Sequence, residues 1–528
     1  MGATAEIGRL RGASDSGFCI EELLSAAVFP HEVARLQLRE THISWVILTG
    51  PFAYKVKKGI KLDFCDATTL ARRRSLCEEE IRLNRRLAAD LYTDVVPITR
   101  DPSGLRIGGT GPTVEYAVRM KQFDASEEMH ALLSRFEISI AEVTRLADRL
   151  AKFHTEVPRA PGPDAFDYVE RLRGTVLGNI AILLAHLDSI SQFPEMSRLI
   201  DWTHDTLHQR AAELRERHAR GFIRECHGDL HARNIVRWQG ELTPFDCLEF
   251  DPRLRQVDVM NDIAFLVMDL AAHGRRDLAG AFLSRYAERT GDYRGIRLLP
   301  LYAVDRALVR AMVDALAAEQ RADRHDELYG KLHGRIRTAV AFTHLATPAL
   351  YIMHGPSGSG KSWLSERLVP LLGAVRVRSD LERKRLAGLE AHSRAPEELY
   401  SAEWSNRTYT HLAACAESCL SAGLDTVVDA AFLAEAERRM FQDLAHRLQV
   451  RFTIVSCHAD RRKMADRIAA RQLSEADPSD ANLRVLEAQL GHMQPLTIGE
   501  QAYSVAVDTT QPHAENAAFS ALQQPPTE

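Results

Sequence analysis

Eight consecutive residues carry the most specific chemistry in this sequence: Gly355, Pro356, Ser357, Gly358, Ser359, Gly360, Lys361 and Ser362, reading GPSGSGKS. Small side chains let backbone N–H groups curl around a phosphate chain, the lysine supplies a cation for the β- and γ-phosphates, and the serine hydroxyl suits Mg2+. LYIMHG before the loop reads as an apolar strand and WLSERLVPLL after it as a helix, whose positive N-terminal end adds to the same site. Strand, phosphate loop and helix in this order make a P-loop, which implies ATP with Mg2+. Two acids are placed to work beside it. Asp429 ends the apolar strand in LDTVVDAAF, where a ligand for Mg2+ or its water belongs. Asp380, after the strand VRVR, could take the proton from an acceptor hydroxyl, or cap the helix LERKRL instead. Arg467 and Arg471, four apart in DRIAARQ, could close over a transferring phosphoryl group or form an ordinary solvated basic face.

A second constellation lies upstream, in HGDLHARNIVRWQGELTPFDCLEFD. Phosphoryl transfer to a hydroxyl needs a carboxylate near the acceptor proton and oxygen ligands for Mg2+. Asp229 and Asn234 stand five residues apart in a short loop, and Asp246 follows two apolar strand segments. In this pattern Asp229 accepts the proton while Asn234 and Asp246 hold the metal. His227 and His231 stand at i, i+4, the spacing of two zinc ligands on a helix, which opens a metallohydrolase alternative. The glutamate of an H-E-x-x-H site is missing, and Gly228-Asp229 favours a turn over a helix.

These motifs carry two resemblances. GPSGSGKS, RSDLERKRL, VVDAAF and the R-x-x-x-R pair resemble, over about residues 348–510, the small P-loop kinases that include gluconate kinases, zeta-toxin-like kinases and polynucleotide kinase phosphoryl-transfer domains. That resemblance implies that Asp380 faces the acceptor hydroxyl; the acceptor itself does not carry over, because members differ in it. HGDLHARN with Asp246 resembles, over about residues 40–340, the catalytic loop and metal-binding Asp of aminoglycoside phosphotransferases and related kinases of the protein-kinase-like fold. It implies that His227 orients the loop, that Asp262 in MNDIAFL is structural, and that Lys55 in FAYKVKK serves the α- and β-phosphates. A glutamate on the helix CEEEIRLNRRL should pair with that lysine. Glu80 fits best, just before Ile81; Glu78 and Glu79 remain open, as does a plain acidic helix face. Lys57 shares the face of Lys55 and Lys58 points the other way, since strand side chains alternate. TVEYAVRM resembles the hinge strand that contacts adenine. Two departures stand out: only Gly50-Pro51 precedes Lys55 in place of a G-x-G-x-x-G, and DCLEF replaces D-F-G, so Glu249 could be a second metal ligand. The two modules in this order resemble a bacterial fusion family, an aminoglycoside-phosphotransferase-like domain joined to a P-loop kinase-like domain.

The elements that must position these residues are legible in outline. SWVIL and FAYKVKK read as strands around Gly50-Pro51, and Leu70, Cys77, Ile81 and Leu87 mark a helix. A second strand pair brackets RIGGTGPT, helical patterning covers about 126–218, and helices resume from about 252 to 344. From Ala349 to SVAVDT strands and helices alternate, the mark of a parallel sheet with covering helices. The expected fold is therefore an α+β protein-kinase-like domain over residues 21–340 followed by an α/β P-loop domain over residues 345–510. Residues 1–20, rich in Gly and Ser, and 511–528, rich in Gln and Pro, read as a flexible start and tail.

At ~150 residues per domain, 528 residues allow three or four domain-sized units and large cores. The 67 Lys and Arg against 72 Asp and Glu leave a net charge of −5, which disfavours a nucleic-acid partner. No apolar run approaches the ~20 residues of a membrane span, and the N-terminus MGATAEIGRL has no apolar signal core, so the reading is cytoplasmic with no membrane partner. Eight scattered cysteines without a C-x-x-C pair read as free thiols. The expected function is an ATP- and Mg2+-dependent phosphotransferase with two nucleotide sites, acting on a hydroxyl of a sugar, aminocyclitol or related small molecule. The alternatives are an ATP-binding regulatory protein with a degenerate kinase lobe, and a nucleic-acid end-processing kinase. The motifs imply neither the acceptor nor the oligomeric state.

Overall fold

The computed structural model describes residues 18–524 except 34, 63–64, 186–194, 321–324, 345, 392 and 475–481; the flexible start expected over 1–20 lies outside the described residues up to position 17. Contacts divide the chain into two compact units. The first comprises Met1–Glu137, Phe153–Ala160 and Gly221–Asp262, and the second Ile138–Lys152, Pro161–Arg220 and Ile263–Glu528.

The first unit is built on six strands: β1 (Gln37–Glu40), β2 (Ser44–Leu48), β3 (Phe52–Lys57), β4 (Tyr92–Asp101), β5 (Gly104–Ile107) and β6 (Thr113–Lys121). Their order is β1-β2-β3-β6-β4-β5, with every neighbouring pair antiparallel. Alternation along β3 sends Tyr54 and Val56 into a core with Ile47 and Ile98. Ala53, on the opposite face, packs with Val118 and Met120 against helix α1 (Leu70–Ala88), which contributes Cys77 and Ile81. Thr69 caps that helix, its side chain accepting from the Arg72 N–H. Farther along the chain, β7 (Ile235–Trp238) and β8 (Glu241–Pro244) form a tight antiparallel pair that frames the polar loop containing Asp229. A one-helix, antiparallel-sheet lobe followed by this loop is a protein-kinase-like arrangement.

Helices of the second unit include α2 (Tyr168–Ala185), α3 (Glu195–Ala219), α4 (Arg276–Thr290), α5 (Leu299–Gln320) and α6 (His325–Thr343). Strand–helix alternation follows: β9 (Ala349–His354), α7 (Lys361–Leu372), β10 (Val375–Arg378), α8 (Ser379–Leu386), α9 (Ala402–Leu420), β11 (Thr426–Asp429), α10 (Glu435–Leu448), β12 (Arg451–His458), α11 (Arg461–Ser474), α12 (Leu483–His492), β13 (Ser504–Asp508) and α13 (Ala514–Leu522). The five strands run parallel in the order β10-β11-β9-β12-β13. All six residues of β9 are buried, as a central strand covered on both faces requires. One expectation is corrected here. The expected flexible tail over 511–528 contains a helix: α13 buries Ala514, Ala518 and Leu522 in the core of the sheet, because its apolar residues recur at helical spacing, while 525–528 lie outside the described residues.

Helix α4 packs on α7 and β10. At the contact, a Cβ on Gly280 would stand 2.5 Å from the carbonyl carbon of Gly373, a backbone atom that cannot swing aside. Glycine-to-alanine changes inside helices normally stabilise by ~1 kcal/mol. At Gly280 the sign should reverse, with overpacking lowering stability by roughly 1–3 kcal/mol, whereas Gly174→Ala in α2, with nothing within 4 Å of the new Cβ, should be neutral or stabilising. Thermal unfolding of the two variants followed by circular dichroism checks the pair.

Candidate functional site

Lys55 and Lys57 leave the same face of β3, and both are buried. A buried ammonium needs a carboxylate partner. Glu80 on α1, fully buried, serves both: Lys55 Nζ donates to its Oε1 at 2.8 Å and Lys57 Nζ donates to its Oε2. Glu78 pairs on the helix surface with Arg74, and Glu79 with Arg82 and Arg255, so Glu80 is the partner that the helix offers to the strand. On its other side Lys55 reaches Asp246 Oδ1 at 2.5 Å, and Lys57 reaches Glu249. Burial works against the Lys55 charge, but Asp246, Glu80 and Glu249 more than offset it and hold the ammonium well above its usual range. Glu80 is likewise buried, yet the two lysines hold its carboxyl below the usual range. Glu249 is thereby corrected as a metal ligand: it is buried against Lys57, because the second lysine needs a second carboxylate. Lys58 does turn away, to Glu40 and the ring of Trp45.

Asp246 sits at φ 64°, a left-handed conformation that is strained for a non-glycine residue. The surroundings hold it there: its N–H donates to Tyr92 Oη at 3.1 Å, and the next N–H, of Cys247, donates to Asn84 Oδ1 at 2.9 Å. Its side chain is 41% exposed, so the carboxylate remains open to a ligand. Opposite, Asn234 Nδ2 donates to Asp229 Oδ2 at 2.8 Å and to the Asp229 carbonyl at 3.0 Å, which turns the amide oxygen away from that carboxylate. The loop hangs from Asp262, whose Oδ1 accepts from the Gly228 N–H at 2.8 Å and whose Oδ2 accepts from the His227 N–H at 3.1 Å, with His154 Nε2 at 3.0 Å. Gly228 stands at φ 85°, and a Cβ there would lie 3.0 Å from the Leu254 carbonyl, so a side chain at this turn would be strained. The zinc alternative is overturned. His227 Nε2 faces the Phe245 carbonyl at 2.9 Å, and His231 caps the turn Ala232–Asn234 by accepting from the Arg233 N–H, so the two rings share no helix face. Among the described residues no group of metal-ligating side chains contains both. The oxygens of Asp246 and Asn234 form a hard donor set that suits Mg2+.

The P-loop is formed as its residues require. Gly355 and Gly358 stand at φ 133° and 81°, and a Cβ on either would meet a backbone oxygen, of Cys457 at 2.5 Å or of Met464 at 2.6 Å. Lys361 Nζ donates to the Pro356 carbonyl at 2.9 Å, and Ser362 lies in the first turn of α7. Asp429, buried at the end of β11, accepts from Ser365 Oγ at 3.1 Å. Arg378 is in register with Asp429, so β10 and β11 end together and Asp380 emerges beside them in the first turn of α8. The helix-cap alternative fails there: the capping position is Arg378, and Asp380 lies 3.8 Å from Arg383. Lys361, Ser362, Asp380, Asp429 and Arg467 line one cavity of about 860 Å3, together with Arg383 and Tyr400, which the sequence did not single out. Arg383 follows Asp380 by three residues on one helix, a spacing that could have marked it; nothing local marks Tyr400. Arg467 is no solvated face: it donates to the Gly358 carbonyl at 3.1 Å and to Thr509 Oγ1 and O at 2.9 Å. Arg471 lies on α11, but its side chain falls outside the described residues.

The AAA_33 family model, described as an AAA domain, matches residues 350–496. An uncharacterized protein of Mycobacterium tuberculosis and one of Mycobacterium bovis are each 30% identical over 452 residues, covering 84% of this chain and 87% of theirs. This chain belongs to their family. Among solved structures, a gluconokinase from Sinorhizobium meliloti is similar at 20% identity over 33% of this chain and 94% of that one, with a TM-score of 0.24. A choline/ethanolamine kinase family protein from Mesorhizobium loti is similar at 10% identity over 60% and 95%, with a TM-score of 0.36. The matched AAA domain spans β9, the P-loop and the strands and helices that follow as far as α12.

His354, the last residue of β9 before the loop, gives the P-loop unit a pH limit. Burial, then the charges of Arg438 and Lys361, push its imidazole down to about 4, so it is neutral in the fold. Above pH ~6.5 both native and unfolded chains carry it neutral; as pH falls from there toward 4 the unfolded chain takes up a proton that the native fold refuses, and stability declines. His354→Gln should flatten the stability slope between pH 6.5 and 4. Urea midpoints of both proteins at pH 7.5, 6 and 5 measure it.

Proposed function

We propose that the protein is an ATP- and Mg2+-dependent phosphotransferase with two nucleotide sites, which passes the γ-phosphoryl group to a hydroxyl of a small molecule such as a sugar, aminocyclitol or related metabolite. The observation that supports the reading is that the Lys55–Glu80 pair holds Asp246, and that the residue before Asp246 is tied to the Asp229–Asn234 pair, the Phe245 N–H donating to the Asn234 carbonyl at 2.9 Å. In this reading Lys55 binds the α- and β-phosphates and Glu80 keeps it extended. Asp229 orients the acceptor hydroxyl and takes its proton as the new P–O bond forms and the bond to the β-phosphate oxygen breaks. Bound Mg2+ supplies positive charge against the phosphate oxygens, and Asn234 and Asp246 are the residues that would hold it. At the second site Lys361 and Arg467 would face the phosphates, Ser362 and Asp429 would hold Mg2+, and Asp380 would take the acceptor proton; Arg471 belongs to the same proposal. No described helix is long and apolar enough to cross a membrane, and all eight cysteines are free thiols, seven of them buried. The free thiols suit a reducing compartment, and in this reading the enzyme is cytoplasmic and its partner a small molecule.

Lys361→Ala should abolish nucleotide binding at the P-loop, seen as the loss of one of two sites in a fluorescent-ATP titration. In that background, Asp229→Asn should leave nucleotide affinity intact while lowering phosphoryl transfer ~10²–10⁴-fold. Asp246→Asn in the same background should instead weaken Mg2+-dependent nucleotide binding itself. Transfer of label from γ-³²P-ATP to fractionated metabolite pools is the assay. Equal transfer by Lys361→Ala and by Lys361→Ala with Asp229→Asn would overturn the reading.

A further inference from the structure

Arg376 is a buried arginine on β10 that neither site reading uses. Its Nε donates to Glu288 Oε1 of α4 at 2.7 Å, an ion pair buried on both sides. Its backbone is held by the same region: the Arg376 N–H donates to Ser284 Oγ at 3.0 Å, and Tyr293 Oη donates to the Arg376 carbonyl at 3.0 Å. The other end of the guanidinium points at the P-loop. Arg376 Nη1 lies 3.4 Å from the Ser362 carbonyl and 3.3 Å from Ser365 Oγ. Ser365, fully buried one turn beyond Ser362, has Asp429 Oδ2 within reach of its hydroxyl at 3.1 Å. That hydroxyl has two acceptors at 3.1 Å for its single proton, Asp429 Oδ2 and the Ser362 carbonyl; Arg376 Nη1, which donates to the hydroxyl oxygen and to that carbonyl, occupies the carbonyl and so favours the carboxylate.

We propose that Arg376 is a positioning residue of the P-loop site: held by Glu288, it orients the Ser365 hydroxyl and through it Asp429, so that the metal side of the P-loop depends on a helix upstream of the P-loop module. The inference rests on the nucleotide reading of that site and adds to it. Glu288 lies on α4, some sixty residues before β9 by the numbering and outside the 350–496 match to the AAA domain. The contact is built for close approach, since Gly280 of α4 leaves no room for a Cβ against Gly373 and Arg385 Nη2 donates to the Glu288 carbonyl at 2.7 Å. A chain of three hydrogen bonds, Glu288 to Arg376 to Ser365 to Asp429, thus spans from the helix to the carboxylate. Each link is directional, so loss of one leaves Asp429 with a different set of rotamers to choose from.

The experiment uses the full chain and the nucleotide-binding component that Lys361→Ala removes, read with a fluorescent ATP analogue in Mg2+ and in EDTA. Ser365→Ala and Glu288→Gln should each weaken binding in Mg2+ about tenfold, the scale of one hydrogen bond to a charged group, while binding in EDTA changes less than about twofold. The double variant should lose no more than the weaker-binding single variant, because both act through one chain. Parallel losses in Mg2+ and EDTA would mean a merely structural role and overturn the proposal, as would unchanged binding in both or fully additive losses. Should the wild-type chain show no binding that Lys361→Ala removes, the nucleotide reading of the P-loop fails first, a result distinct from any of these.

Discussion

Two lysines buried on one face of a single strand set the terms for the whole first unit. Alternation along β3 sends Tyr54 and Val56 into an apolar core and leaves Lys55 and Lys57 on the other face, under α1. Removing an ammonium from water costs several kcal/mol unless carboxylates and hydrogen bonds compensate. One glutamate can bridge two lysines only if each oxygen takes one, as Glu80 does. The remaining donors need further acids, and Asp246 and Glu249 provide them from a loop some 190 residues away. Strand, helix and loop are locked together because displacing any one would strand a charge in the interior. The strained backbone of Asp246 is sustained by the same lock.

The second unit handles the same problem with backbone in place of side chains. Its phosphate loop follows a path along which a Cβ at Gly355 or Gly358 would strike a neighbouring carbonyl, so only glycine lets the backbone curl there. Parallel strands that end in register then deliver Asp429 and Asp380 to the rim of one cavity. The loop from His227 to Asn234 in the first unit uses related devices: a glycine at positive φ lets the chain turn, and the buried Asp262 collects the two N–H groups that the turn exposes. In each case a charged centre is held by groups that have already lost their water. That is the preorganisation phosphoryl transfer needs, since its transition state is stabilised by charge placement more than by covalent chemistry.

Much of this was legible from local spacing. The P-loop residues Gly355 to Ser362 and the trio Asp229, Asn234 and Asp246 are short-range patterns, and short-range patterns survive in sequence because each residue's role depends on neighbours within one turn or loop. The parallel sheet was legible for the same reason, as strand–helix alternation is a periodic signal. Less was visible where several residues of one type compete. Glu78, Glu79 and Glu80 differ only in which way a helix rotates, and the rotation follows from Cys77 and Ile81 packing on the sheet. Glu249 looked like a metal ligand because its proximity to Asp246 in sequence says nothing of Lys57, which arrives from another strand. The Gln- and Pro-containing tail hid a helix whose small apolar face is recognisable only against the core that it covers.

The sequence by itself determined the chemical vocabulary: a P-loop, a second cluster of lysines, acids and an asparagine, and the strands and helices that present them. Tertiary structure decided which of those groups act together. Arg376 and Glu288 are 88 residues apart, on elements that the alternation of strands and helices assigns to different modules, yet they form a buried ion pair next to the P-loop. No local pattern encodes such a pair, because its energy comes from the mutual desolvation of two surfaces, and that exists only once the surfaces have met.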